Sequence, residues 1–214
     1  MSQRSEAEEH LRVIRSLMEK ATIYRAISAP AALIGGLIGV AGTVALCVTF
    51  PTSQSGDSSD LCFRIVWLTA MVLAAISNLF FLWGAANGRG EALFSAGMRL
   101  ALIAMAPGLI CAAFFTTIFW GEGFSNFYLP PIWMLCYGVS LLATSHFAPR
   151  SIIVLGWCFL LSGFVSSCFL FVWHWWGQTV TSGNLLMGAT FGLYHLVYAV
   201  CTWPRQATIS AEGE

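Results

Sequence analysis

His195 is an imidazole set between two phenols, Tyr194 and Tyr198, inside an apolar run of the sequence. An ionisable ring in such a run is costly in hydrocarbon, which makes it a functional-site candidate until a partner accounts for it. Counted from the cytoplasmic ends of their runs, His195 and Asn78 lie about eight residues deep and Ser140 about seven, which at ~1.5 Å per residue is one shared level. Pro107 interrupts a further run at that level. Asn78, Ser140, Tyr194 and His195 are therefore the expected ligand-binding set, offering hydrogen bonds to a neutral or weakly charged small solute. No carboxylate lies in this layer to take or relay a proton, so acid–base catalysis is not expected there. The plainer account is that the same side chains bond between helices, each worth ~0.6 to 2 kcal/mol.

Other chemistries find less support. The seven cysteines are dispersed, with no C-x-x-C pair and none beside a histidine, so neither a zinc site nor a redox motif is expected. Cys47 and Cys62 both fall near the expected outer face, where an oxidising compartment permits a bridge. Haem would need two histidines at matching depth, and His146 lies some five residues shallower than His195 while His174 belongs to the opposite face. Asn87-Gly88-Arg89-Gly90 lacks the lysine and context of a phosphate-binding loop and reads as a tight turn. Beyond the leader the acidic residues are Asp57, Asp60, Glu91, Glu122, Glu212 and Glu214, all in loops or near ends, so no Ser-His-Asp set can be built. His174 with Glu122 at the outer face is the weakest of the readings, an acid–base pair of unfixed separation. No catalytic residue, metal or cofactor is expected.

The elements that must carry these residues follow from composition. Of 214 residues, 57% are hydrophobic and 9% charged, far below the roughly 25% charge of soluble domains. The net charge of zero provides no basic field for nucleic acid. The chain is expected to be an all-α, polytopic membrane protein: a six-transmembrane-helix bundle with an N-terminal amphipathic cytoplasmic helix. The spans read as about 30–50, 61–86, 100–120, 129–147, 151–173 and 185–203, each an apolar run long enough to cross ~30 Å of hydrocarbon. Residues 30–205 form this domain, residues 1–29 the leader and 206–214 a polar cytoplasmic tail.

Within span one, Ala31, Gly35, Gly39 and Thr43 recur at one-turn intervals and form a flat strip on which a neighbouring helix can approach closely. Span one is accordingly the expected central packing helix. Pro107-Gly108 is expected to bend span three. Spans two and three resemble four and five in outline, with Phe119-Trp120-Gly121-Glu122 and Trp175-Trp176-Gly177-Gln178 at comparable places, but the inverted repeat of many carriers is not visible.

Ser5 and Glu8 have capping-box spacing, and Leu11, Ile14, Met18 and Ala21 make one apolar face of the leader. The leader with span one is too long for a cleaved signal peptide, so retention is expected. Arg4, Arg12, Arg15, Lys20, Arg25, Arg89, Arg99, Arg150 and Arg205 fall on one side of the spans and only Arg64 on the other, which predicts cytoplasmic termini and a bacterial inner-membrane location. Tryptophans at the outer ends, Trp67 and Trp133 among them, are expected as an interfacial belt. The leader's four glutamates nearly cancel its five cations, so it suits a protein partner or self-packing better than a lipid surface. The expected function is a non-enzymatic helical-bundle accessory or scaffolding subunit. It would contact the lipid bilayer and dock a protein partner, or a second copy, through span one and the leader. The alternative is a small-solute permease using the His195 layer.

Overall fold

A computed structural model describes residues 29–50, 57–88, 96–121, 128–169 and 180–211. All regular structure among them is helical. The helices are α1 (Ala29–Thr49), α2 (Asp57–Asn87), α3 (Ala96–Gly121), α4 (Leu129–Ala143), α5 (Arg150–Cys168), α6 (Val180–Met187) and α7 (His195–Ala211), with α6 and α7 joined without a break by a π-helical segment, Gly188–Tyr194. Of the leader expected over residues 1–29, residues 1–28 lie outside the described residues, as do His174 and Glu122.

Helix is the form that apolar runs must take in lipid, where every backbone group has to find its partner within the segment. Hydroxyls face the same demand and meet it by bonding back one turn: Thr43 to the Gly39 carbonyl at 2.9 Å, Thr116 to Ala112 at 2.8 Å, Thr202 to Tyr198 at 2.8 Å. Among the described residues five helices are long and apolar enough to cross a membrane: Ala29–Thr49, Ser58–Asn87, Met98–Trp120, Arg150–Cys168 and Ser182–Trp203. The fourth run is shorter than its expected 129–147. Its helix has 15 residues, with prolines at its start, and gives way to turns from Thr144 to Phe147. The last helix is longer than expected and continues through Pro204 to Ala211, so most of the anticipated tail is helical.

Two helices hold the bundle together. α1 packs on α2 along one side and on α6, the π segment and α7 along another, while α4 packs on α3, α5 and α6. The small residues of α1 serve both contacts. Gly35 and Gly42 meet Ala74 and Val66 of α2, at 3.8 and 3.3 Å from where a Cβ would stand. Gly36 and Gly39 meet Leu196 and Gly192, where a Cβ on Gly39 would be 3.0 Å from the Gly192 Cα. The expected strip therefore divides: Gly39 and Thr43 face the last span, and Gly35 faces α2. A second close crossing joins α4 to α5, where a Cβ on Gly138 would stand 2.7 Å from the Leu160 amide nitrogen.

The interior forms two clusters. One gathers Ala32, Met134, Leu141, Ile152, Leu155, Phe159, Tyr198 and Ala199 toward the Ala29 end of α1. The other gathers Leu46, Phe63, Trp67, Ala70, Leu129 and Met187 toward the Thr49 end. α2 enters only the second.

Candidate functional site

His195 is the first residue after the π segment. A π turn widens the helix by an extra residue and leaves a carbonyl without its usual α-helical donor. Here the imidazole supplies one, with Nδ1 2.9 Å from the Phe191 carbonyl. A carbonyl only accepts, so Nδ1 carries the hydrogen; in the neutral ring Nε2 is then the acceptor for the Tyr137 hydroxyl, 3.1 Å away on α4. Both nitrogens are used inside the bundle.

Aromatic rings close around this pair. Phe159 of α5, fully buried, lies edge-on to Tyr137 with centroids 4.8 Å apart and stands 4.8 Å from Phe191 and 5.6 Å from His195. Tyr194 points instead toward α5, where its hydroxyl is 2.6 Å from Ser162 Oγ, and its ring lies edge-on to Phe159 at 5.4 Å. His195 and Tyr137 are half-buried rather than sealed.

The four expected ligand-binding residues do not converge. Ser140 faces α3, where its hydroxyl is shared between the Met105 carbonyl at 3.1 Å and its own helix's Cys136 carbonyl at 2.8 Å. Gly108, beside Pro107, makes room for it, since a Cβ there would collide with Ser140 Oγ. Asn78 is half-buried on α2, in the part of that helix beyond Ala70 that belongs to neither core cluster. Shared depth does not mean shared face. What the layer does chemically is join α4 to α3 and to the last span, and the last span to α5, by neutral hydrogen bonds.

Two residues outside the expected set prove equally central. Tyr137 is the partner of His195, and nothing in the sequence separates it from any other aromatic in a span. Asn184 lies one residue before the expected sixth span, 185–203, but the helix starts at Val180 and buries it to 1% exposure. Its Oδ1 accepts from Trp67 Nε1 at 3.2 Å, and its Nδ2 donates to the Thr43 carbonyl at 2.9 Å and to Cys47 Sγ at 3.4 Å. One amide thus ties α6 to α1 and α2. Trp67 and Trp133, expected in an interfacial belt, turn inward: Trp67 to Asn184, and Trp133 Nε1 to Thr116 Oγ1 at 2.9 Å.

Cys47 and Cys62 are free thiols. Among the described residues no group of three or more His, Cys, Asp or Glu side chains is placed to hold a metal. No family model, no curated protein and no solved structure matches the chain, so its reading rests on its own geometry.

Proposed function

We propose that this chain is a multi-pass integral membrane protein of a bacterial inner membrane, with six spans and both termini in the cytoplasm. It acts as a non-enzymatic helical-bundle accessory or scaffolding subunit. The observation that supports this reading is that Ser140, Tyr194 and His195, three of the four residues of the polar layer, bond within the bundle. Ser140 bonds to Met105, Tyr194 to Ser162, and His195 to Tyr137 and Phe191. Side chains committed in this way lend cohesion between helices and have less hydrogen-bonding capacity left to offer a substrate.

The small-residue strip of span one is occupied by α2 and the last span, so a partner would reach the protein through the leader, residues 1–29, rather than through Ala31, Gly35, Gly39 and Thr43. Deleting residues 2–24 should abolish recovery of the partner in a crosslinking pull-down from membranes while leaving the folded yield intact. Unchanged recovery overturns the docking role.

A second reading, a small-solute permease, draws support from one feature. His195, Tyr137 and, on α2, Asn78 are polar side chains that are only half-buried. On that reading His195→Ala abolishes uptake in proteoliposomes at normal folded yield, and equal transport by the variant discards it.

A further inference from the structure

Asn78 is the exception in the polar layer. Among the described residues its amide has no hydrogen-bond partner, whereas Ser140, Tyr194, His195 and the more deeply buried Asn184 are all bonded. The side chain is half-buried, and from Met71 to Ala85 no residue of α2 is fully buried. A carboxamide carries two N–H donors and an acceptor oxygen, and hydrocarbon can bond to none of them. An amide left in that state along a span is costly, and the remedy in lipid is a hydrogen bond from another helix.

The residues around Asn78 show how that helix would fit. Met71, Ala75, Asn78, Leu82 and Ala85 follow one another at spacings of four, three, four and three, the repeat of a coiled-coil seam with Asn78 at its centre. Met71 is 43% exposed, Ala75 and Ala85 are exposed, and Leu82 is half-buried. The alanines let a second backbone come close. The contacts α2 makes within the bundle lie elsewhere: Val66 and Ala74 meet Gly42 and Gly35 of α1, and Trp67 reaches Asn184 of α6. At 3.6 residues per turn that side is centred about 90° from the seam.

The amide itself selects the occupant. Asparagine is its own complement, so a two-fold axis along the membrane normal sets the N–H of one Asn78 against the oxygen of the other and satisfies both copies with a single residue. Such an axis runs the two α2 helices parallel, the arrangement in which a lone seam asparagine fixes register. We propose that the chain self-associates through α2 as a parallel two-fold dimer, with the Met71–Ala85 seam packed on its copy and the two Asn78 amides bonded across the axis. The proposal rests on the chain being embedded in a bilayer and is independent of the leader's docking role.

Energy transfer between donor- and acceptor-labelled full-length chains in liposomes, followed as lipid dilutes the protein, measures the dimer constant. Asn78→Leu should weaken association about threefold to thirtyfold, the range of one hydrogen bond between membrane helices. Asn78→Gln, which keeps the amide, should retain more of it. Ala75→Trp widens the seam and should weaken association at normal folded yield, while Ile76→Trp, at a position 58% exposed on the far side of α2, should not. A chain that stays monomeric at every dilution overturns the proposal, as does a dimer indifferent to Asn78→Leu or equally sensitive to Ile76→Trp. Loss of solute uptake in Asn78→Leu at an unchanged dimer constant would reassign the amide to a transport site. Deleting residues 2–24 should leave the constant unchanged; a loss as large as that of Asn78→Leu would move the contact to the leader. A chain that fails to partition into membranes would instead refute the embedding on which the seam depends.

Discussion

Asn184 Nδ2 donates to the Thr43 carbonyl at 2.9 Å, so a side chain from α6 bonds to the backbone of α1, and the same amide takes the Trp67 indole hydrogen from α2. Three helices meet at one group that is almost completely buried. In lipid no water replaces a lost partner, and an orphaned buried donor costs about 1 to 3 kcal/mol.

Asn184→Leu is therefore expected to destabilise the bundle by about 1 to 3 kcal/mol, because it strands the Trp67 N–H. Trp67→Phe should cost less on the polar side, since the amide keeps the Thr43 carbonyl. Thermal unfolding of both variants in detergent, followed by intrinsic fluorescence or differential scanning, checks the order.

Tyr137 and His195 should be energetically coupled. A double-mutant cycle with Tyr137→Phe and His195→Phe is expected to give about 0.6 to 2 kcal/mol of interaction energy, the range of single hydrogen bonds between membrane helices. Strict additivity in denaturant titrations would mean that the 3.1 Å contact contributes nothing.

The π segment should matter for its geometry. On an unbroken α-helix Asn184 and His195 fall about 20° apart, on nearly the same face. The seven-residue π segment unwinds that relation by roughly 120°, so that Asn184 looks to α1 and α2 while His195 looks to α4. Deleting the exposed Ala189 would restore α-helical winding and break one of the two sets of bonds. A melting temperature lowered at least as far as in Asn184→Leu is the expected outcome; an unchanged one would show that the π turn positions neither residue.

Glycines at close crossings should be far less replaceable than glycines on the lipid side. A Cβ at Gly138 would stand 2.7 Å from a backbone nitrogen of α5, which cannot swing aside as a side chain can, so Gly138→Ala is expected to cost about 1 to 3 kcal/mol. Gly84 on α2 has nothing within 4 Å of its Cβ position, and Gly84→Ala is expected to be neutral or to stabilise by up to about 1 kcal/mol through helix propensity. Paired unfolding curves measure the contrast.

Composition and run length by themselves determined the class of this protein and the approximate places of its helices, because in hydrocarbon an apolar stretch has no alternative to satisfying its backbone internally. Span one was legible for a further reason: its glycines are dense enough to mark it as a packing helix before any neighbour is known. Which face meets which neighbour was decided only by the tertiary structure. A helix that is apolar all round carries no polar side to orient it, so Ser140 and His195, expected at one depth, turn to different partners. Gly35 and Gly39 likewise serve two different partners. Asn184, Tyr137 and the π segment were illegible for the same reason: their roles exist only once another helix supplies a carbonyl, an indole or an imidazole within 3.2 Å.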